Sequence, residues 1–531
     1  MISDPAGAIR RAALLALPVG FLGVFFAYPV ASIVGLGLAH GVPDLGQFRG
    51  ILWFTVWQAA VSTALTLALA LPGAYVFARL DFPGKSLLRA IVTVPFVLPT
   101  VVVGAAFLAL VGPDGLLGIR LDRSVPAILV AHVFFNYAVV VRVVGGLWSH
   151  LDPRQEEAAQ LLGASRVRAW IAVTLPALAP AIGAAALLVF LFTFTSFGIV
   201  QILGGPRFAT VEVEIYRQTA QLLDLRAAAA LSMLQFAVVS VLLLGQAWLG
   251  RRRESMLSLV AASSAVRRPR GKGWFVLAAN LVVMLVLLVT PLAVLVVRSF
   301  ADGLGAYRAL GQNDVRSTLF VPARDAIGWS LAYGSAATVI ALVVGGLAAA
   351  AMTRRAGRLT RAIDGLLMLP LGVSAVTVGF GFLVTLDTPP LDLRSSPLLV
   401  PLAQALVAVP FVVRTVLPVL RAVDARLREA AAVLGASPWR VWREVDLPIA
   451  WRALLVAAGF AFAISLGEFG ATVFIARPDT PTVPVAIFRL LGRPGELNYG
   501  QAMALSTILM VLCAGSLLAL ERVRLGRSAE F

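Results

Sequence analysis

Apolar runs of about 20 residues, each long enough to cross a hydrocarbon core of roughly 30 Å, recur along the whole chain. Nothing else in the sequence limits the fold as severely. Backbone inside lipid must satisfy its own N–H and C=O groups, which leaves only helices and closed barrels. Barrel strands alternate in polarity and last only about 10 residues; these runs are continuous and longer. The expectation is an all-α polytopic membrane protein. Composition agrees, since 60% of the residues are hydrophobic and 13% charged, against roughly 25% charged in soluble domains.

Twelve spans are expected, near 12–38, 52–78, 88–112, 124–148, 177–203 and 228–250, then 274–298, 328–352, 362–386, 397–420, 450–476 and 498–520. Arg10 and Arg11 precede the first run. A cleavable signal peptide is the rival there, but its apolar core would be only about 7–15 residues long. The first run is therefore expected to remain as a span. That places both termini in the cytoplasm, in a multi-pass protein of the plasma (inner) membrane.

The net charge of +17 raises the question of nucleic acid, which its placement excludes. Basic residues gather at alternate ends of the spans, as the preference of Lys and Arg for the cytoplasmic side requires. Arg79, Lys85 and Arg89, Arg154, Arg166 and Arg168, Arg354, Arg355, Arg358 and Arg361, and Arg522, Arg524 and Arg527 all fall on predicted inside segments. Arg207, Arg217, Arg308 and Arg316 fall outside, so the bias is not absolute. Residues 251–273, with Arg251, Arg252, Arg253, Arg267, Arg268, Arg270 and Lys272, read as a basic cytoplasmic linker that touches anionic lipid. The single cysteine, Cys513, sits in the last apolar run, which excludes disulfides and Cys-based metal sites.

A polar stretch occurs twice at a fixed separation of 272 residues. Residues 152–176 carry Asp152, Arg154, Glu157-Ala158-Ala159, Leu162-Gly163-Ala164-Ser165 and Leu175-Pro176; residues 424–448 carry Asp424, Arg426, Glu429-Ala430-Ala431, Leu434-Gly435-Ala436-Ser437 and Leu447-Pro448. Arg142/Arg414, Arg168/Arg440, Trp170/Trp442, Phe197-Gly198/Phe469-Gly470 and Pro206/Pro478 keep the same separation. Self-similarity of this kind marks an internal duplication. Residues 1–250 and 274–531 are then two six-span halves of parallel topology, a design that puts a pathway near the axis between them.

Each copy is too polar to cross a membrane. Glu157 with small Ala158 and Ala159 suits a short surface helix, and Gly163 can adopt the left-handed conformation that ends one. Ser165 or Ser437 suits the cap of a second short helix, and Pro176 or Pro448 the first turn of the next span. The result is a helix–turn–helix ledge. A plain connector packed on its own protein is the bland alternative; duplication at identical spacing favours a surface offered twice to a two-fold-symmetric partner.

Glu-Ala-Ala, a Gly six residues after the Glu and a Leu-Pro whose proline lies thirteen after the Gly resemble the EAA motif in permease subunits of ABC importers. Two copies in one chain resemble the fused permeases of the thiamine and ferric-iron group. The resemblance implies the type I importer permease fold. It also implies that the ledges, through Glu157, Ala158, Ala159, Gly163, Glu429, Ala430, Ala431 and Gly435, are coupling helices seated on two copies of an ATPase subunit. An extracytoplasmic solute-binding protein would deliver the substrate. The chain would be a transport subunit and not an enzyme, holding no cofactor itself, with ATP used by the partner. Ala131-His132-Val133-Phe134-Phe135-Asn136 and Leu203-Gly204-Gly205-Pro206 with Thr210–Tyr216 resemble thiamine permeases; Gly467–Thr472 fits thiamine or ferric-iron permeases equally.

Pathway candidates are Asn136, Phe194, Phe197, Glu468 and Phe469. A carboxylate beside an aromatic ring attracts a cation by charge and by cation–π contact; an interfacial residue facing water is the alternative for Glu468, and packing the alternative for the phenylalanines. His132 lacks convergent partners for a metal and is read as a packing residue, so no metal site is expected. Gly84-Lys85-Ser86 resembles the tail of a phosphate-binding loop, but Arg79 stands where the first glycine belongs. A secondary transporter with two six-span halves would share the span count but has no need of paired ledges. A membrane-embedded enzyme would need convergent polar groups inside the spans.

Overall fold

The computed structural model describes residues 5–39, 45–113, 115–116, 118, 120–251, 266–312, 318–353, 358–387 and 391–525. His40, Arg252, Arg253, Arg316, Arg354, Arg355 and Arg527, with most of the 251–273 linker, lie outside these residues. Among the described residues the structure is helical, with one isolated bridge between Leu80 and Arg267. Ten helices are long and apolar enough to cross a membrane, from Ala13–Leu38 to Glu496–Ala519.

Four of the twelve expected spans are not single helices: the fifth and eleventh end early, at Phe194 and Gly467, and are followed by the short helices Gly198–Leu203 and Thr472–Ile475, while the third and the ninth are broken within. Lys85–Val97 and Thr100–Val111 meet at 103°. Leu98, between them, is extended at φ −68°, ψ 141°, the conformation forced on a residue that precedes a proline, here Pro99. The ninth span is Arg358–Met368, a 3₁₀ turn over Leu369–Gly372 containing Pro370, and Ala375–Thr385 capped by the Ser374 hydroxyl. Pro95 and Pro370 correspond, as do Gly104 and Gly379, with the separation now 275. Both glycines are places of close approach. A Cβ on Gly104 would come within 2.8 Å of Ile202, and one on Gly379 within 2.7 Å of the Ala471 backbone.

Prolines also explain four π-helical turns, at Gly23–Ala27, Trp170–Thr174, Leu285–Val289 and Trp442–Asp446. Each directly precedes a helix with proline at its first or second position: Pro29, Pro176, Pro291 and Pro448. A proline lacks the N–H its turn needs and crowds the carbonyl four residues back, and a widened turn relieves both.

The chain forms two compact units. One holds Asp44–Glu214 and Leu234–Gly303; the other holds Met1–Pro43, Ile215–Met233 and Leu304–Phe531. In the first unit, helices Arg49–Arg79, Val125–His150 and Leu175–Phe194 pack on one another, and Thr290–Ser299 lies on Thr100–Val111. In the second, Asp325–Thr353, Leu399–Ala422 and Leu447–Gly467 repeat that three-helix core, with Pro5–Leu22 on Asp325–Thr353 and Tyr28–Leu38 on Ala375–Thr385. Each core thus takes its outer helix from the opposite end of the duplication. The compact units therefore differ in membership from the sequence halves 1–250 and 274–531. Hydropathy marks a helix as a span but not which core it covers. That is decided by fits such as Pro29 against Gly381, where an added Cβ would lie 2.8 Å away.

A second correspondence ties the short helices after the fifth and eleventh spans to their cores. The Val211 N–H donates to Thr55 Oγ1 at 3.0 Å, and the Val483 N–H donates to Ser330 Oγ at 2.7 Å. All four residues are buried, so each bond satisfies a helix N-terminal donor that has no intrahelical partner.

Candidate functional site: the two ledges

The first ledge opens with Asp152, whose Oδ1 accepts the Arg154 N–H at 3.0 Å; in the second, Asp424 Oδ1 accepts the Arg426 N–H at 3.0 Å. Helices Arg154–Leu161 and Ala425–Val433 follow. Each ends on its glycine, Gly163 at φ +92° and Gly435 at φ +81°. The Ala164 N–H reaches back to the Ala159 carbonyl at 3.1 Å, and the Ala436 N–H to the Ala431 carbonyl at 3.0 Å. That six-to-one closure needs the left-handed residue the glycine supplies. Ser165 Oγ then accepts the Arg168 N–H at 3.3 Å, and Ser437 Oγ the Arg440 N–H at 3.3 Å. The second short helices, Arg166–Ala169 and Pro438–Val441, do not stop as separate elements. They continue through the π turns into the spans, so each ledge is joined to the following span without a break.

Glu157, Ala158, Glu429 and Ala430 are exposed, and Ala159 and Ala431 half-buried, in the same pattern on both ledges. The sequence reading passed over the ledge tips. Leu161 and Leu162 are 89% and 90% exposed, and Val433 and Leu434 each 87%. Large apolar side chains so fully presented on a polar element, twice over, are the mark of a surface built to be covered. Their place beside the turn glycine was the available signal.

The ledges differ where each latches to its span. Glu156 accepts the Thr174 hydroxyl at 2.9 Å on the first. At the corresponding positions of the second, Arg428 Nε donates to Asp446 Oδ1 at 2.7 Å, and an Nη of Arg428 donates to the Leu420 carbonyl at 2.9 Å. Beside the first ledge, Arg267 donates to the Tyr75 hydroxyl at 3.3 Å. That bond, followed by the charges of Glu156 and Glu157, raises the Arg267 guanidinium above its ordinary value against the opposing effect of burial.

The pathway candidates fall into two groups. Asn136, Phe194 and Phe197 are buried in the first unit. Asn136 Nδ2 donates to the His132 carbonyl at 3.0 Å, and Phe194 packs with Ala59, Leu191 and Val239. The His132 ring lies between Ser62 Oγ at 3.1 Å and Ser196 Oγ at 2.9 Å, a structural bridge between helices. Lys85 Nζ donates to the Leu80 carbonyl at 2.7 Å, so it closes a turn. In the second unit, buried Glu468 accepts the Ala471 and Thr472 N–H groups at 2.7 and 3.0 Å, capping Thr472–Ile475. Phe469 packs on Phe488 with ring centroids 5.4 Å apart, and Tyr216 meets Phe474 and Phe488 edge-on.

The two cores with their matching ledges make this polytopic helical membrane protein an internal duplication. The chain belongs to the family of binding-protein-dependent transport system inner membrane components, which matches it twice, over residues 70–304 and 341–524. It is an ABC importer permease of the fused, two-half form. It is 28% identical over 555 residues, covering 100% of both chains, to the thiamine transport system permease protein ThiP of Brucella abortus (strain 2308). Identity to the Salmonella typhimurium protein of the same name is 26%, with 90% of each chain covered. The putative 2-aminoethylphosphonate transport system permease protein PhnV of Salmonella paratyphi A is 31% identical over 46% of this chain and 93% of its own length, so that relative is about one half long.

Proposed function

We propose that this chain is the membrane-spanning permease of an ATP-driven importer for thiamine or its phosphate esters. The observation that carries the coupling role is the ledge, whose caps and turn are repeated in both copies and which is crowned in each by an exposed glutamate and two exposed apolar side chains. Two copies of an ATPase subunit would each receive one ledge. Glu157 and Glu429 supply the docking charge, Ala158, Ala159, Ala430 and Ala431 allow close approach, and Gly163 and Gly435 make the turn. An extracytoplasmic binding protein would deliver substrate to the opposite face. On this reading the ledges and both termini lie in the cytoplasm, and residues 251–273 link the halves there. ATP-driven closure of the partner brings the ledges together, and the unbroken helix through each π turn carries that motion into the span. ATP is bound and hydrolysed on the partner, and this chain holds no cofactor.

Thiamine is favoured by the full-length similarity to the Brucella protein of that name. Asn136, Phe194, Phe197, Glu468 and Phe469 are proposed as wall residues of the pathway, with Glu468 fixing the backbone turn that presents Phe469. Uptake of labelled thiamine and of ferric iron, in cells lacking the gene and in cells with it restored, tests the substrate. Restored, energy-dependent thiamine uptake is expected; restored iron uptake instead would keep the importer and overturn its substrate.

A further inference from the structure

The second unit contains a cavity of about 740 Å³ that the first unit fills. It lies where the second ledge joins its span, against the outer faces of helices Pro5–Leu22, Asp325–Thr353 and Leu399–Ala422. Its walls include Gly346, Ala350 and Leu420. The corresponding residues of the first half are Leu71, Tyr75 and Trp148. There the Tyr75 and Trp148 rings meet edge-on at 5.5 Å, and Arg267 closes over the Tyr75 hydroxyl. Three large side chains on one side of the duplication thus face three smaller ones on the other. A Cβ on Gly346 would meet nothing within 4 Å, so this wall has room for the larger side chain that the first half carries there.

The cavity is apolar except at one end. There the Arg428–Asp446 pair forms part of the wall, and Trp439 and Trp442 stack with centroids 5.0 Å apart at an interplanar angle of 20°. Trp439 is exposed. Stacked indoles at a helix end mark the level of lipid headgroups. Arg428 uses Nε and one Nη in the contacts described, out of five donors in a guanidinium. Arg443, on the same ledge, is exposed. Asp446 offsets the charge of Arg428 within the wall, so the excess positive charge at this end comes from Arg443 beside it. An occupant that is apolar along its body, with an anionic head that accepts from the remaining Arg428 N–H groups and lies near Arg443, fits this end and is available in the medium around membrane helices.

We propose that this cavity binds an anionic phospholipid, with acyl chain between the helices and headgroup phosphate at Arg428 and the tryptophan rim. A volume of this size lies inside the roughly 300–1,000 Å³ range of ligand sites, and basic pockets at helix ends select anionic headgroups. Lipid bound there braces only the second ledge, at the position where the first is braced by its own aromatic residues.

The test is the thermal melting of the full chain, purified and delipidated in mild detergent, titrated with phosphatidylglycerol, phosphatidylcholine or inorganic phosphate. Phosphatidylglycerol should raise Tm by about 2–3 °C at a hundredfold excess over Kd, phosphatidylcholine should do so at tenfold or more higher concentration, and inorganic phosphate should leave Tm unchanged. Gly346→Leu and Ala350→Tyr, each copying the first half, should each weaken the phosphatidylglycerol response at least tenfold while keeping the lipid-free Tm at or above that of the parent. Native mass spectrometry should find one phosphatidylglycerol retained by the parent and none by a filled variant. Should Gly346→Leu not fold, Ala350→Tyr decides alone. Undiminished responses in both variants, equal responses to the two lipids, a response to phosphate alone, or self-association in place of lipid binding would each overturn the proposal.

Discussion

The two ledges have the same backbone and different latches, and the contrast separates what docking needs from what each half needs. Asp caps, glycine turns and serine caps agree to within 0.1 Å in every backbone hydrogen bond compared. On the proposed reading, a partner made of two identical subunits would impose that sameness on the faces it touches. The side chains beneath face their own half only, and there the hydroxyl–carboxylate bond of Glu156 and Thr174 has become the ion pair of Arg428 and Asp446. The first half fills the space beside its latch with Tyr75 and Trp148; the second leaves a cavity. At the ledges, the sameness lies in the presented backbone and the difference in the latches beneath it.

Reversing the docking charge on both ledges should have the largest effect. Glu157→Lys with Glu429→Lys should lower transport at least a hundredfold and uncouple ATP hydrolysis from it, since an interfacial charge facing a like charge costs several kcal/mol. Either single change should leave intermediate transport if the ledges act as equivalent docks. Substrate uptake together with ATPase activity in vesicles measures both, and full transport by the double variant would remove the docking assignment.

Breaking the latches should separate the ledges. Asp446→Ala strands Arg428 with its principal partner gone, from a pair whose side chains are 21% and 6% exposed. The cost should be about 2–4 kcal/mol, towards the lower end for buried pairs because Arg428 keeps some solvent. Thr174→Val removes one hydroxyl bond and should cost about 1 kcal/mol. Thermal or denaturant melting of the full chain in detergent gives both values, and equal losses would show that the ion pair is no stronger a brace than the hydroxyl.

The clips between cores and short helices should respond alike. Thr55→Val and Ser330→Ala each leave a buried N–H, of Val211 or Val483, without its acceptor. Each should cost about 1–2 kcal/mol, read from the same melting curves. A difference above 1 kcal/mol between the two would mean that the duplication is one of sequence only at this point.

Much of this was legible beforehand because the signals are local. Span positions follow from hydropathy, and the ledge follows from Asp, Gly and Ser at fixed spacing, each of which has one backbone job. The broken third span was less legible: Pro95 and Pro99 were visible, but apolar residues on both sides of a 103° bend score the same as a straight helix. Which core the first and seventh spans cover depends on shape, on Gly381 meeting Pro29 and not on periodicity. Glu468 was read from its neighbours Gly467 and Phe469, whereas its oxygens go to N–H groups three and four residues further on. The cavity was invisible because it depends on side-chain volumes at packed positions, Ala350 against Tyr75 and Leu420 against Trp148, which neither hydropathy nor the ledge motif reports.

The smallest expected effect gives the sharpest measure of how alike the ledges are. Gly163 and Gly435 have positive φ, and a Cβ on either would meet nothing within 4 Å. Gly163→Ala and Gly435→Ala therefore probe backbone conformation alone, with no packing change to confuse the result. A left-handed alanine costs roughly 1 kcal/mol, and the two variants should lose that amount equally. Because the turn sets where Glu157 or Glu429 points, ATPase affinity should fall more steeply than stability, and by the same factor for each ledge. Equal stability losses with unequal affinity losses would place the asymmetry in the partner's engagement and not in the fold. Unequal stability losses would place it in the turns themselves, and the matched hydrogen bonds would then conceal a difference in strain.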